Sequence, residues 1–270
     1  PPGPEAAAPA APRLTPWHTL VGGLWAAITC GFLYTFSTFS AALRREFGLS
    51  EDALDDIGTS QVAVGLVTFS AGLLVDHAGV TATLLCGAAV NSGSWLLFGL
   101  IAKGAVRVPA PAAAFCGLAA AATLGGACVT ASVFTALAKN FGEGRSAPIG
   151  IAKAWVGVAA GVATTVFVSL HPTGDGSPER LDYLWFLSAS CAAFAVAPAP
   201  LLRILPGPCV DRLCIPPRAR LRFLTAVTVA LIAVTASDAL LEGAETRAER
   251  VAMAAAILAI ILSPGLLLCP

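Results

Sequence analysis

Four polar side chains lie inside long apolar segments of the sequence, and their chemistry suits the binding of a small solute. They are Tyr34, Gln61, Asn91 and Lys153. Lysine offers a positive charge, whereas the phenol and the two carboxamides offer hydrogen bonds. A lysine at the centre of a bilayer costs roughly 2.5–3.5 kcal/mol on insertion scales, so such a residue indicates function. The set predicts binding of a small polar or anionic solute.

Each of these residues also has a structural interpretation. Carboxamides such as those of Gln61 and Asn91 commonly bond to a neighbouring helix. Lys153 lies about 7 Å inside a segment that begins near Pro148, counted at the helical rise. From that depth its ammonium group can reach the membrane surface and act as an anchor. The residue types alone leave both interpretations open.

Small residues accompany the polar groups at helical spacing. Lys153, Gly157 and Gly161 recur every four residues, which places them on one face of a helix. Glycines at this spacing let a neighbouring helix approach closely, so Gly157 and Gly161 predict helix packing. Gln61, Gly65, Thr68 and Gly72 also share one helix face, at spacings of three and four residues. These faces predict contact with protein or with a water-filled cavity rather than with lipid.

The composition identifies the solvent that surrounds the chain. Of the 270 residues, 57% are hydrophobic and 12% are charged, whereas soluble domains carry about 25% charged residues. The net charge is zero and no basic patch is present, so nucleic-acid binding is not indicated. The sequence predicts an integral, multi-pass membrane protein whose main partner is the lipid bilayer. It does not distinguish the plasma membrane from an organelle membrane.

The elements that position these residues are predicted to be transmembrane helices. An apolar segment of about 20 residues crosses a bilayer as a helix, and the segments show no period-two alternation typical of strands. The fold class is therefore all-α, a polytopic transmembrane helical bundle with about eight spans. The predicted spans are residues 18–43, 58–75, 80–102, 110–138, 148–170, 182–205, 222–241 and 250–268.

The regions outside the spans complete the predicted organisation. Residues 1–16 are rich in Pro and Ala and are predicted to form a disordered leader, which leaves residues 17–270 as the transmembrane domain. Basic residues of the loops, with a cluster from Arg212 to Arg222, favour a cytoplasmic N-terminus. Both ends of the sequence suggest a fragment of a longer protein.

Catalysis is not predicted. The three histidines, His18, His77 and His171, are scattered along the chain, and no Ser/His, paired Asp or His-Glu-x-x-His arrangement of an intramembrane protease is found. No Walker loop is present, so neither a nucleotide nor another cofactor is predicted. Cys209 and Cys214 share a loop, but no histidine or second cysteine pair lies nearby to complete a metal site. We interpret them as two unlinked thiols.

Three stretches resemble a known group of membrane proteins. Residues 72–79 read GLLVDHAG and resemble the loop motif Gly-x-x-x-Asp-Arg/Lys-x-Gly of the major facilitator superfamily, between the second and third spans. Residues 31–40 read GFLYTFSTFS, and residues 140–153 read NFGEGRSAPIGIAK. These two stretches resemble the first span and the junction of the fourth and fifth spans in nodulin-like proteins. Over residues 17–270 the sequence is similar to the nodulin-like family of that superfamily.

The loop motif departs from the family pattern. His77 stands in place of the basic residue that follows the aspartate, and uncharged residues occupy the later basic positions. The resemblance nevertheless implies a major facilitator-like N-terminal six-helix half followed by about two further spans. It also implies a second transporter half, in the same longer chain or in another subunit.

The resemblance implies a secondary transporter that works by alternating access. Tyr34, Gln61, Asn91 and Lys153 are then candidates for binding the solute. Four residues near the cytoplasmic mouth are candidates for gating, because a carboxylate there can cap a helix or pair with an arginine. These are Gly72, Asp76, Gly79 and Arg145. The alternative is a membrane scaffold or receptor that transports nothing.

Overall fold

The computed structural model describes residues 14–171, 177–206, 216–241 and 247–268. Most of the predicted leader and the Cys209–Cys214 loop lie outside these ranges. Within them the protein is all-α and contains no strand, which confirms the predicted fold class. The helices are α1 Pro16–Cys30, α2 Ser37–Phe47, α3 Glu51–Ala63, α4 Phe69–Ala78, α5 Val80–Ala102, α6 Pro111–Phe141, α7 Ser146–Leu170, α8 Tyr183–Val196, α9 Pro217–Leu241 and α10 Arg247–Leu262.

Local sequence signals account for several helix ends. Proline stands at the start of α1, α6 and α9, where its fixed φ suits the first turn and no backbone donor is needed. The hydroxyl of Ser50 caps α3 by accepting a hydrogen bond from the Ala53 nitrogen at 3.2 Å. Gly48 ends α2 at a φ of 60°, a left-handed conformation that favours glycine.

The first two apolar segments are broken helices, which differs from the continuous spans predicted at 18–43 and 58–75. α1 and α2 are bent by 45° and α3 and α4 by 50°, at short 3-10 stretches that cover Phe32–Thr35 and Val64–Val67. Hydroxyls bond to carbonyl oxygens at both breaks. Thr35 donates to the Phe32 oxygen at 2.6 Å and Thr68 donates to the Gly65 oxygen at 2.8 Å. Such bonds make a broken helix tolerable within a membrane.

Five helical segments in the described ranges are long and apolar enough to cross a membrane, or seven if each bent pair counts as one span. The longest segment, Pro111–Leu170, has 60 residues and contains both α6 and α7. At the helical rise it would be about 90 Å long, three times the hydrocarbon thickness, if it were one straight helix. The predicted division into eight spans requires this segment to fold back on itself.

Contacts with α1 and α2 show that the segment Pro111–Leu170 folds back on itself. Gly23 faces Val133 and Cys30 faces Gly126, so residue numbers rise along α1 while they fall along α6. The two helices are therefore antiparallel.

The contacts between α7 and the segment formed by α1 and α2 show the opposite pattern, because residue numbers rise in both along these contacts. Gly31 packs on Ala159, and Thr38 lies 3.0 Å from Thr164 between their hydroxyl oxygens. Since α1 is antiparallel to α6 and parallel to α7, the chain reverses between α6 and α7. The reversal begins at Gly142, which has a φ of 54°.

The backbones of α5 and α6 approach each other very closely. A Cβ atom at Gly125 would lie 2.5 Å from the backbone nitrogen of Asn91, and one at Gly87 would lie 2.7 Å from the carbonyl oxygen of Gly125. Real Cβ atoms do not approach backbone atoms so closely. Glycine at both positions is what allows the two backbones to touch.

Two indoles attach the last two helices to the rest of the bundle. Trp155 in α7 donates a hydrogen bond to the Thr228 hydroxyl in α9 at 2.9 Å. Trp25 in α1 donates to the Ile261 carbonyl oxygen in α10 at 2.8 Å. α9 and α10 therefore pack on the side of the bundle formed by α1 and α7.

Candidate functional site

One sector of α7 lies open between two neighbouring helices. Val156 contacts α1, whereas a Cβ atom at Gly161 would lie 3.6 Å from Thr235 in α9. At about 100° per residue, Lys153 and Gly157 fall between these two directions on the helical wheel. Both residues are exposed. The structure therefore places the lysine predicted to bind solute in a sector that is flanked by α1 and α9.

Tyr34 lies at the break between α1 and α2, with 64% of its surface exposed. The break packs against α7, because a Cβ atom at Gly31 would overlap the Val156 carbonyl oxygen and lie 2.6 Å from the Ala159 side chain. Interpolation along these contacts places Tyr34 roughly two helical turns from Lys153 along α7. The Tyr34 phenol and the Lys153 ammonium group are thus both exposed near the place where the first break packs on α7.

The other two predicted binding residues are buried. Gln61 lies in the last turn of α3, directly before the second helix break, and its side-chain nitrogen has no hydrogen-bond partner among the described residues. Asn91 lies where α1, α5 and α6 meet, and its side-chain nitrogen donates a long bond of 3.5 Å to the Thr29 carbonyl oxygen. The structure thus does not bring the four residues to one surface. The position of Asn91 favours its structural interpretation.

The two glycines that share the face of Lys153 have different surroundings. A Cβ atom at Gly161 would make ordinary contact with Thr235, but one at Gly157 would meet no atom within 4 Å. No described residue therefore packs against Gly157, and its packing role stays a prediction. Its lack of a side chain instead leaves the sector beside Lys153 open.

The predicted gating residues are at the N-terminal end of the bundle, the end that holds the start of α1. Asp76 and Arg145 are both exposed, and neither is in an ion pair in the described ranges. Asp76 also does not cap α5, whose first turn receives no side-chain cap. Neither partnership expected for this carboxylate is present in the structure. Two ion pairs between described residues, Arg44–Glu51 and Lys103–Asp182, lie at the opposite end.

Gly79 alone connects α4 to α5, and its backbone has a φ of 84° and a ψ of 167°. Residues other than glycine rarely adopt this backbone conformation. We therefore expect Gly79→Ala to lower the free energy of unfolding by about 2 kcal/mol. Gly72 is the matched control, because it is helical and a Cβ atom there would meet nothing within 4 Å. Gly72→Ala should stabilise the protein by about 0.5–1 kcal/mol.

Equilibrium unfolding in mixed detergent micelles, followed by tryptophan fluorescence, measures both variants. Equal stabilities would show that the connection between α4 and α5 does not depend on glycine.

Asn140 holds three chain segments together and was not identified as a site residue from the sequence. Its side-chain nitrogen donates to the Thr19 hydroxyl at 2.9 Å and to the Arg203 carbonyl oxygen at 2.7 Å. Its side-chain oxygen accepts from the Leu205 nitrogen at 3.0 Å. One carboxamide thus ties the end of α6 to α1 and to the segment after α8. No local pattern reveals partners so distant in the sequence.

A buried arginine lies close to this network. Arg220 in the first turn of α9 is only 1% exposed, and its guanidinium carbon lies 5.0 Å from the centre of the Trp17 ring. Trp17 also meets Phe141 edge to face, with 5.5 Å between ring centres. From its position in the sequence, Arg220 was expected to be one of the basic residues of the loops. A signal was present, because Arg220, Leu224 and Leu231 recur on one face of α9 and all are buried.

The comparisons with known proteins support a membrane carrier. The sequence matches the family model described as Nodulin-like over residues 16–269. Comparisons with curated proteins and with solved structures gave no significant match. The family match confirms the resemblance predicted from the three sequence stretches, and this family is a transporter-type family rather than an enzyme family. The chain therefore belongs to the nodulin-like family, which is one of the major facilitator-like families of membrane transporters.

Proposed function

We propose that the protein is a secondary transporter that moves a small anionic solute by alternating access. The observation that carries the proposal is the exposed ammonium group of Lys153 in the open sector of α7. A charge within a membrane span is costly unless it faces water, a partner or a ligand. The flanking helices α1 and α9 provide walls on both sides of this charge. A carboxylate in the sector would pair with Lys153.

The helix break at Tyr34 supports the same location. Interrupted spans in transporters provide backbone polar groups and helix ends that can bind solutes near the middle of the membrane. The break from Gly31 to Phe36 falls near the middle of the segment Pro16–Phe47. Tyr34 is exposed there and can donate its phenolic proton to a carboxylate oxygen. Solute binding would thus combine one positive charge with one hydrogen bond.

The positions of the walls support alternating access. By the family resemblance, α1 to α8 correspond to the first transporter half, and α9 and α10 begin the second. A solute between α1, α7 and α9 would therefore contact both halves. Movement of one half against the other would change which end of the sector is open.

Uptake of labelled small carboxylates into liposomes that contain the full-length protein tests the proposal. Lys153→Gln should reduce uptake at least about tenfold, because losing one charge-assisted contact costs 1.4 kcal/mol or more. Lys153→Arg retains the charge and should retain part of the uptake. The control is Lys139→Gln, which removes an exposed lysine at the end of α6. If Lys153→Gln and the wild-type protein transport carboxylates equally well, the assignment of Lys153 is wrong.

A non-transporting scaffold is the second candidate. It would use an exposed apolar strip on α3, α4 and the break between them, a face that either lipid or another membrane protein can cover. In a scaffold, solute binding and uptake would both be absent while the protein stays folded in liposomes. The strip comprises Val62, Leu66, Phe69 and Leu73, which are exposed by 72%, 85%, 69% and 52%.

A further inference from the structure

We propose that Trp17, Phe141 and Arg220 form a clasp that closes the N-terminal end of the bundle, and that this end opens when Arg220 leaves Trp17. The role of the clasp in transport rests on the proposed function. Its role in closing this end of the bundle does not. Arg220 is a positioning residue in this scheme, because it acts through the placement of α9 and not by contact with the solute.

The burial of Arg220 is the first observation. Arg218 and Arg222 lie on the same helix and are exposed, whereas Arg220 is 1% exposed. An arginine near the end of a membrane helix can normally extend its guanidinium group into water. Enclosing that group has a large desolvation cost, so contacts within the protein must compensate for it. The Trp17 ring, 5.0 Å from the guanidinium carbon, provides one such contact.

The second observation is that one side of the clasp is rigid. Trp17 is in the first turn of α1, and Phe141 is the last residue of α6. Asn140, next to Phe141, bonds to Thr19 in α1 and also to the segment after α8. The two aromatic rings are therefore mounted on helices that these hydrogen bonds already hold together. They form a fixed surface against which α9 can close.

The third observation is that α9 has a separate attachment farther along its length. In α9, Thr228 accepts a hydrogen bond from Trp155 of α7, and Thr235 packs on Gly161 of α7. α7 and α9 run in the same direction, since the residue numbers of both rise along these contacts. α9 can therefore pivot on α7 while its first turn leaves α1 and α6. The clasp is the contact that such a movement breaks.

The chemistry of the clasp suits a reversible closure. When Arg220 leaves Trp17, its guanidinium group gains hydration, and this gain offsets the lost contact with the ring. An apolar side chain at the same position would instead expose apolar surface on opening and favour the closed state. A buried cation over an aromatic ring therefore opposes opening less than an apolar side chain would, and a ligand that prefers one of the two states can shift the balance between them.

Hydroxyl-radical footprinting of the full-length protein in lipid nanodiscs tests the clasp by measuring oxidation of individual aromatic side chains. Trp17 is 5% exposed, so it should be oxidised slowly in the wild-type protein. In Arg220→Gln we expect its oxidation rate to rise at least about fivefold, because the cation that holds α9 over the ring is gone. The matched control is Arg218→Gln on the same helix, which should leave the rate unchanged.

Trp95, which is 2% exposed among the aromatic residues at the opposite end, reports on global unfolding in the same samples. If Trp95 oxidation also rises in Arg220→Gln, that variant is partly unfolded and Arg220→Lys becomes the deciding variant. Lysine keeps the positive charge but loses the planar stacking on Trp17. A rate for Trp17 within twofold of wild type in the deciding variant would overturn the clasp.

The transport assay separates this proposal from the proposed function. Faster oxidation of Trp17 without carboxylate uptake by the wild-type protein would support the clasp and reject the transporter. Uptake that depends on Lys153, with Trp17 oxidation unchanged in the deciding variant, would support the transporter and reject the clasp.

Discussion

Gly125→Ala is expected to lower the free energy of unfolding by about 3 kcal/mol, near the upper end of the usual cost of overpacking. The added methyl group would lie 2.5 Å from the Asn91 nitrogen and 2.8 Å from the Gly87 carbonyl oxygen. Both are backbone atoms and cannot rotate away, so α5 and α6 must separate. Separation weakens the packing along the whole contact between these helices.

Gly117→Ala on the same helix is the matched control, because a Cβ atom there would meet nothing within 4 Å. It should stabilise the protein by about 0.5–1 kcal/mol through the better helix propensity of alanine. Equilibrium unfolding in mixed micelles measures the difference. If both alanine variants are equally stable, α5 and α6 do not approach as closely as described.

Asn140→Ala is expected to lower the free energy of unfolding by about 2 kcal/mol. Three hydrogen bonds disappear, each with a net value of about 1 kcal/mol. The carboxamide is only partly buried, so water replaces part of what is lost. Because the bonds connect α1, α6 and the segment after α8, we also expect faster hydrogen exchange at the Leu205 amide.

Lys139→Ala is the control for this variant. Lys139 is the neighbouring residue in α6 and is exposed, so its replacement should change stability by less than about 0.5 kcal/mol. Unfolding and hydrogen exchange are compared for the two variants in the same micelles. Unchanged exchange at Leu205 in Asn140→Ala would mean that the carboxamide does not hold that segment.

Apolar composition was sufficient to predict the helices but not the breaks within them. The stretches at Phe32–Thr35 and Val64–Val67 are as apolar as their surroundings, and hydropathy carries no information on backbone dihedral angles. The first break lies against α7, where Gly31 meets Ala159, and a contact between residues so distant in the sequence is set by the tertiary fold. The sequence therefore placed the first two segments in a membrane and missed their interruption at Tyr34 and just after Gln61.

The candidate site was predicted in part. The four-residue spacing of Lys153 and Gly157 correctly placed them on one face, but whether that face is covered depends on where α1 and α9 pack. The reverse error was made for Arg220, where a positive charge near a loop suggested exposure. Its burial is decided by Trp17, which lies at the other end of the sequence. Partners of this kind are set by the tertiary fold and not by local spacing.

The length of α6 connects the protein to the thickness of its membrane. With 31 residues, it is about 46 Å long at the helical rise, against a hydrocarbon layer of about 30 Å. Even a tilt of about 40°, the upper end of the observed range, leaves about 5 Å of the helix beyond that layer. Asn140 and Phe141 are at one of its ends and can therefore reach the lipid headgroups. Because acyl-chain length sets how much of α6 lies outside the hydrocarbon layer, we expect the clasp to respond to lipid composition.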